Sequence, residues 1–250
     1  MSEDLLDRLW RLQLEPAVGG EVLDATLSVA EGQALQGRLM ERWAQQGESV
    51  GGWKIGMTSG ASRNAMGEGV RPFGFVLASR IRPRGARLSL AELARGGVEN
   101  ELCLILGESL GADATAQSAR AAVAAVAPAF EINQRRLARE TSTGVRVADN
   151  LSNWGIVVGE AVSAPSDMEA LEVVLSGNGQ ELGRVASRGH IDDHFESLAA
   201  LARALARYGH SLQPGHRVIT GAYARTPFAE GVYRGEFDQG IGAVEVELVP

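Results

Sequence analysis

The chain has 250 residues, a mass of 26.4 kDa and a formal net charge of −7, enough for one domain of generous size whose core needs no disulfides. With 45% hydrophobic and 22% charged residues, wholesale disorder is excluded, and a single cysteine, Cys103, excludes an intrachain disulfide framework or a multi-cysteine zinc site. No run approaches the ~18 apolar residues of a membrane span, Glu3, Asp4 and Asp7 stand where a signal peptide would be basic, and the arginines are interleaved with acids, so the expectation is a cytoplasmic protein that binds neither membrane nor nucleic acid.

Leu5, Leu6, Leu9 and Leu12 recur at helical spacing and predict an amphipathic helix over residues 4–14. A second helix is predicted from Val29 to Gln46. Ser28 followed by Glu31 forms a capping-box pattern, and Gly47 suits the position just past the end. Short strands and turns then follow. Strands are predicted at Trp53 to Met57, Val98 to Leu106, Phe130 to Ile132 and Gly155 to Val158. Thr115 to Ala127 is alanine-rich and predicts a helix that Pro128 closes. Glu172 to Leu175 and Gln180 to Val185 flank an Asn-Gly turn and predict a hairpin. A helix from Phe195 to Tyr208, a strand from His216 to Thr220, turns and a hairpin over 231–242 and a terminal strand from Ala243 to Val249 complete the chain. This order is not a βαβ alternation, so the fold class is α+β with a β-rich core of mixed sheets. Residues 1–50 are expected to form an N-terminal helical segment packed on the core, and 51–250 the main domain.

Of the 24 basic residues, 23 are arginine and one is lysine, Lys54, inside Gly51-Gly52-Trp53-Lys54-Ile55-Gly56. Arginine cannot release a proton near neutral pH, whereas lysine can. Lys54 is therefore a candidate for proton chemistry, against its chance survival in an arginine-rich composition. In the strand Val98 to Leu106, the period of two puts Glu99 and Glu101 on one face. Buried together they are costly unless paired or metal-bound, and a shared divalent cation is the simplest relief, with hard oxygen ligands favouring Mg²⁺ or Mn²⁺. At a frayed strand start they would be solvated and paired with arginines. Glu131, in the apolar run Ala129-Phe130-Glu131-Ile132, shifts the balance toward a metal cage.

Several ordered segments resemble the fumarylacetoacetate hydrolase superfamily, in its branch of 2-keto-4-pentenoate hydratases and 4-oxalocrotonate decarboxylases. They are Gly52 to Ser59 (GWKIGMTS), Phe73-Gly74, Val98 to Glu101, Ala129 to Ile132, Ala148-Asp149-Asn150-Leu151-Ser152, and Pro214-Gly215 through Thr220-Gly221-Ala222. The resemblance implies a fumarylacetoacetate-hydrolase-like fold, Mg²⁺ or Mn²⁺ on Glu99, Glu101 and Glu131, and a 2-keto acid substrate. It implies catalytic roles for Lys54 and Ser152, and substrate contacts from Thr58, Arg71 and Phe73. A lysine desolvated beside a cation would have a lowered pKa. A homo-oligomer is implied too, with a complex with a paralogous or pathway enzyme as a further option.

Two departures bear on the reaction. Arg71-Pro72 precedes Phe73-Gly74 where many hydratases carry an Asp, and Asn133-Gln134 stand where an acid is common. Arg71 could hold the distal carboxylate of a dicarboxylic substrate. The leading expectation is a hydratase acting on a 2-hydroxy-2,4-dienoate. The alternatives are a decarboxylase, a weaker acylpyruvate hydrolase, and a non-catalytic scaffold subunit. His190-Ile191-Asp192-Asp193-His194 has metal-ligand types, yet stands where a helix cap is expected. Cys103 reads as a buried inert thiol.

Overall fold

The computed structural model describes residues 2–15, 20, 22–93 and 95–250. Helix α1 (Ser2–Leu14) buries Leu5, Leu6, Leu9 and Leu12, the face that helical spacing marks out. Helix α2 (Val29–Gln45) starts at a complete capping box between Ser28 and Glu31, and Gly47 follows with φ +85°. The two helices meet edge to face through Trp10 and Trp43, ring centroids 4.7 Å apart. They are laced outside by ion pairs from Arg38 to Glu3 and Arg42 to Asp7.

The rest is strand-rich. In chain order come β1 (Val50–Ile55), β2 (Phe73–Leu77), β3 (Ile81–Pro83), β4 (Ala86–Ser89), the short α3 (Leu90–Leu93) and β5 (Gly96–Leu106). Next are α4 (Ala116–Ala122), β6 (Val123–Gln134), α5 (Thr143–Ala148) and β7 (Asn153–Val158). The chain ends with β8 (Glu172–Gly177), β9 (Gln180–Ala186), α6 (His194–Ala206), β10 (Arg217–Pro227), β11 (Gly231–Phe237) and β12 (Gly242–Val249). One sheet runs β2-β1-β10-β5-β6-β7-β3 and the other β4-β12-β11-β8-β9. The β1–β10, β3–β7 and β4–β12 pairs are parallel and the others antiparallel, so both sheets are mixed. The architecture is α+β, as the element order predicts.

Phe130 and Ile132 of β6 pack with Leu175, Tyr233, Val244, Val246 and Leu248, joining the sheets in one buried layer. Their neighbour Glu131 must then face the other way, out of that layer. The 172–186 hairpin turns on Asn178 (φ +50°) and Gly179 (φ +79°), the left-handed pair a two-residue turn requires. Among the described residues no helix is long and apolar enough to cross a membrane.

One predicted element is corrected. The helix expected over 115–127 stops at Ala122, and residues 123–134 run as β6. Alanine's helix preference amounts to tenths of a kcal/mol per residue. The register with β5, from Leu106↔Val123 to Gly96↔Gln134, supplies a full ladder and buries the strand. Pro128 survives inside β6 because its carbonyl faces the β7 side, where Gly159 N–H donates to it at 2.8 Å, so the β5 ladder is unbroken.

Candidate active site

The β5–β6 register sets Glu99 directly opposite Glu131, with Glu101 two residues along the same face. One carboxylate oxygen from each lies within 4.8 Å of the other two. Glu101 and Glu131 are buried and Glu99 is partly so, so the solvated alternative for these carboxylates does not hold. Lys54 reaches over from β1 and places Nζ 2.5 Å from Glu131 Oε1. Asn153 and Asn133 donate to Glu131 from their side-chain amides at 2.7 and 3.1 Å. Gly221 N–H donates to Glu101 Oε2 at 2.6 Å, and Arg225 stands 3.6 Å from Glu99. All of these groups except Asn153 line a cavity of about 480 Å³.

The charges are unbalanced. Burial raises the Glu99 and Glu101 carboxyl pKa values, and the neighbouring Glu131 pushes both further. Burial pulls the Lys54 ammonium down, but Glu131, Glu99 and Glu101 together outweigh it, so its pKa lies above the ordinary value. One ammonium neutralises one of three carboxylates. The residual charge and the all-oxygen donor set fit a divalent cation.

Backbone strain shapes the walls. Asn150, Leu151 and Ser152 all have positive φ (+57°, +49° and +64°), an unusual run for non-glycine residues. The Asn150 side chain holds the turn by bonding both the N–H and the carbonyl of Phe75, each at 2.8 Å. The turn aims the Leu151 carbonyl at Lys54 Nζ, 3.5 Å away, and brings Ser152 to the cavity. Beneath it Arg136 and Asp149 form a buried ion pair at 2.9 Å, and Gln13 of α1 adds a bond to the same carboxylate oxygen. Gly221 has φ +137°, and a Cβ there would meet Thr58 Oγ1 at 2.3 Å. That hydroxyl donates to the Thr220 carbonyl at 2.7 Å, so Thr58 lines the cavity with its hydrogen already engaged.

Two sequence-predicted contacts lie elsewhere. Arg71 pairs with Asp192 at 2.7 Å and bonds Asn64, and with Phe73 it lines a separate hollow beside α6. Asp192 also binds Arg63 at 3.1 Å, fastening the 57–72 segment to the chain before α6. The histidine-rich stretch is a cap: Asp193 accepts from Phe195 and Glu196 N–H. His194 is buried between Thr220 Oγ1 (2.6 Å) and Tyr223 OH (2.9 Å), and burial lowers its pKa to about 4. Burial pushes the Cys103 thiol up to about 12, so it is inert. Sequence reasoning missed the arginines that line the cavity, Arg135, Arg139, Arg146 and Arg225. It also missed the two amides on Glu131, although Asn133 shares Glu131's face at the strand period.

No protein-family model matches the chain. It is 31% identical over 214 residues to a 4-oxalocrotonate decarboxylase from a Pseudomonas species, covering 83% of this chain and 84% of that one. It is 31% identical over 215 residues to a 2-hydroxyhexa-2,4-dienoate hydratase from Comamonas testosteroni, covering 81% and 79%. The fold superposes on 4-oxalocrotonate decarboxylase from Pseudomonas putida G7, solved with magnesium and adipate, with a TM-score of 0.90 at 23% identity over 99% of this chain and 97% of that one.

Proposed function

The chain belongs to the fumarylacetoacetate hydrolase superfamily, in the branch of 2-keto-4-pentenoate hydratases and 4-oxalocrotonate decarboxylases, and from that premise we propose that it is a divalent-metal-dependent lyase that hydrates a 2-hydroxy-2,4-dienoate of the meta-cleavage type. The observation that carries this reading is the buried Glu99–Glu101–Glu131 cluster with Lys54 Nζ set against it.

Glu99, Glu101 and Glu131 would hold Mg²⁺ or Mn²⁺, which when bound supplies Lewis-acid stabilisation of negative charge on a substrate's keto oxygen. The protein's own groups do the rest. The ammonium at Lys54 Nζ attracts the carboxylate end of the substrate. Among the described nitrogen cations lining the cavity, only Lys54 can give up a proton, because arginines hold theirs. Ser152 Oγ, presented by the left-handed turn, orients substrate or water. Ile55, Met57, Met66 and Leu151 give the cavity an apolar wall for the substrate's carbon chain.

One observation favours decarboxylation as a second reading. Among the described residues the cavity lining contains no carboxylate besides the three clustered ones, so water meets no separate acid or base among them. Incubating the protein with 2-hydroxypenta-2,4-dienoate, and separately with 2-hydroxymuconate, with Mg²⁺ or EDTA, tests both. Metal-dependent loss of dienol absorbance with gain of one water supports the hydratase, and loss of carbon dioxide supports the decarboxylase. No change with either substrate overturns the lyase reading. We extend the branch's implication to a homo-oligomer in solution, which light scattering checks.

A further inference from the structure

The cavity wall beside Glu101 is an irregular stretch of β10. Ile219 pairs with Cys103, Ala222 with Glu101 and Ala224 with Asn100, so β10 carries an extra residue at each of these two steps. Such bulges bend a strand and cost it ladder hydrogen bonds. Here side chains take up the displaced backbone groups. Gly221 N–H donates to Glu101 Oε2 at 2.6 Å, and Ala224 N–H to Asn100 Oδ1 at 2.7 Å. The Thr220 carbonyl accepts from Thr58 Oγ1 at 2.7 Å, and the Ala222 carbonyl from His190 Nε2 at 3.1 Å. Gly221 and Ala222 themselves line the cavity.

One side chain grips both ends of this stretch. His194 Nδ1 lies 2.6 Å from Thr220 Oγ1, and Nε2 lies 2.9 Å from Tyr223 OH. Thr220 and Tyr223 flank Gly221-Ala222, so the imidazole spans the bulge. His194 is buried, and α6 presents it from a first turn that Asp193 caps. A neutral imidazole has one donor and one acceptor, and a hydroxyl can answer either, so both bonds form with either tautomer. A flat ring held at both nitrogens can neither swing nor slide. A histidine that only filled space would be served by one partner. This one takes both from a single bulge, on either side of the amide that holds Glu101.

We propose that His194 is a positioning residue for the carboxylate cluster: by stapling Thr220 to Tyr223 it fixes the Gly221 N–H that orients Glu101, and so sets the affinity of the cluster for a divalent cation. The proposal rests on the reading of Glu99, Glu101 and Glu131 as cation ligands. Groups that orient a ligand carboxylate are worth about 10–100-fold in metal affinity.

Calorimetric titration of the folded protein with Mg²⁺ tests this without turnover. Thr220→Val and Tyr223→Phe remove the hydroxyls that meet the ring and keep the shapes of both side chains. The double variant should bind Mg²⁺ about tenfold more weakly, and each single variant should weaken it less. Hydrogen exchange at Gly221 N–H in the metal-free protein should speed up in step. Leu39→Ala truncates a buried side chain of α2; it lowers stability away from the bulge and should leave Mg²⁺ affinity as it is. Unchanged affinity in the double variant overturns the proposal, as does unchanged affinity in both single variants where the double one does not fold. Equal weakening by Leu39→Ala overturns it too. No Mg²⁺ binding even by the unaltered protein overturns the cation reading and the proposal with it. The expected pattern with neither dienol consumed would sink the lyase reading and leave the staple standing.

Discussion

Glu99 and Glu131 are direct cross-strand partners on antiparallel β5 and β6. Like charges in that position destabilise a sheet, and burial adds to the cost. The fold carries this conflict in its central strands, relieved partly by Lys54 and two asparagine amides on Glu131 and by Arg225 near Glu99.

A divalent cation should therefore stabilise the protein measurably. At about 100 times its dissociation constant, Mg²⁺ adds about 2.7 kcal/mol, a rise of about 5–10 °C in Tm for a chain of this size. EDTA reverses it. In Glu101→Gln the Mg²⁺-induced rise should fall to a small fraction, read by thermal melts with and without metal. An undiminished rise would remove Glu101 from the cation's ligands.

Lys54 separates charge from proton supply. Lys54→Met should lower kcat by about 10²–10⁴-fold with the circular dichroism spectrum unchanged. Lys54→Arg keeps a cation but holds its proton, so substrate affinity should recover while kcat does not. Recovery of both would reduce Lys54 to an electrostatic anchor.

The buried Arg136–Asp149 pair supports the strained turn that carries Leu151 and Ser152. Arg136→Ala leaves a buried carboxylate without its cation and also strips bonds to the Asp149 and Asn153 carbonyls. The expected loss is about 3–5 kcal/mol, measured by urea unfolding. A loss below 1 kcal/mol would mean that water or rearrangement replaces the guanidinium.

The parts of the site legible in the sequence are those written in short-range patterns. Glu99 and Glu101 announce themselves by a period of two in an apolar run, and Lys54 by being the lone lysine among arginines. The capping box at Ser28 and the Asn178-Gly179 turn are equally local. What stayed hidden depends on distant partners. Arg71 is drawn away by Asp192, 121 residues later, and no local cue distinguishes it from Arg135 or Arg139. Alanines 124, 125 and 127 favour a helix in isolation, and only the β5 ladder overrides them.

His194 gives the fold an acid limit. Burial between Thr220 and Tyr223 holds it neutral, with its folded pKa lowered to about 4 from the ordinary 6.5, and the nearby Asp193 offsets this only partly. The unfolded chain takes up the proton first, so the contribution to stability is complete above pH 6.5. It declines as pH falls through the interval down to about 4 and is flat below. At 1.36 kcal/mol per pKa unit, the loss from this group reaches about 3 kcal/mol by pH 4. The raised carboxyls of Glu99 and Glu101 act in the opposite sense, since the folded state holds their protons more tightly. The His194 share is isolated by comparing the protein with His194→Gln in urea melts from pH 7 to pH 4 under EDTA. The variant starts less stable, because the imidazole's bonds to Thr220 and Tyr223 are weakened, but the gap should narrow by about 3 kcal/mol on acidification. A gap that stays constant with pH would show that His194 is not held neutral in the folded protein.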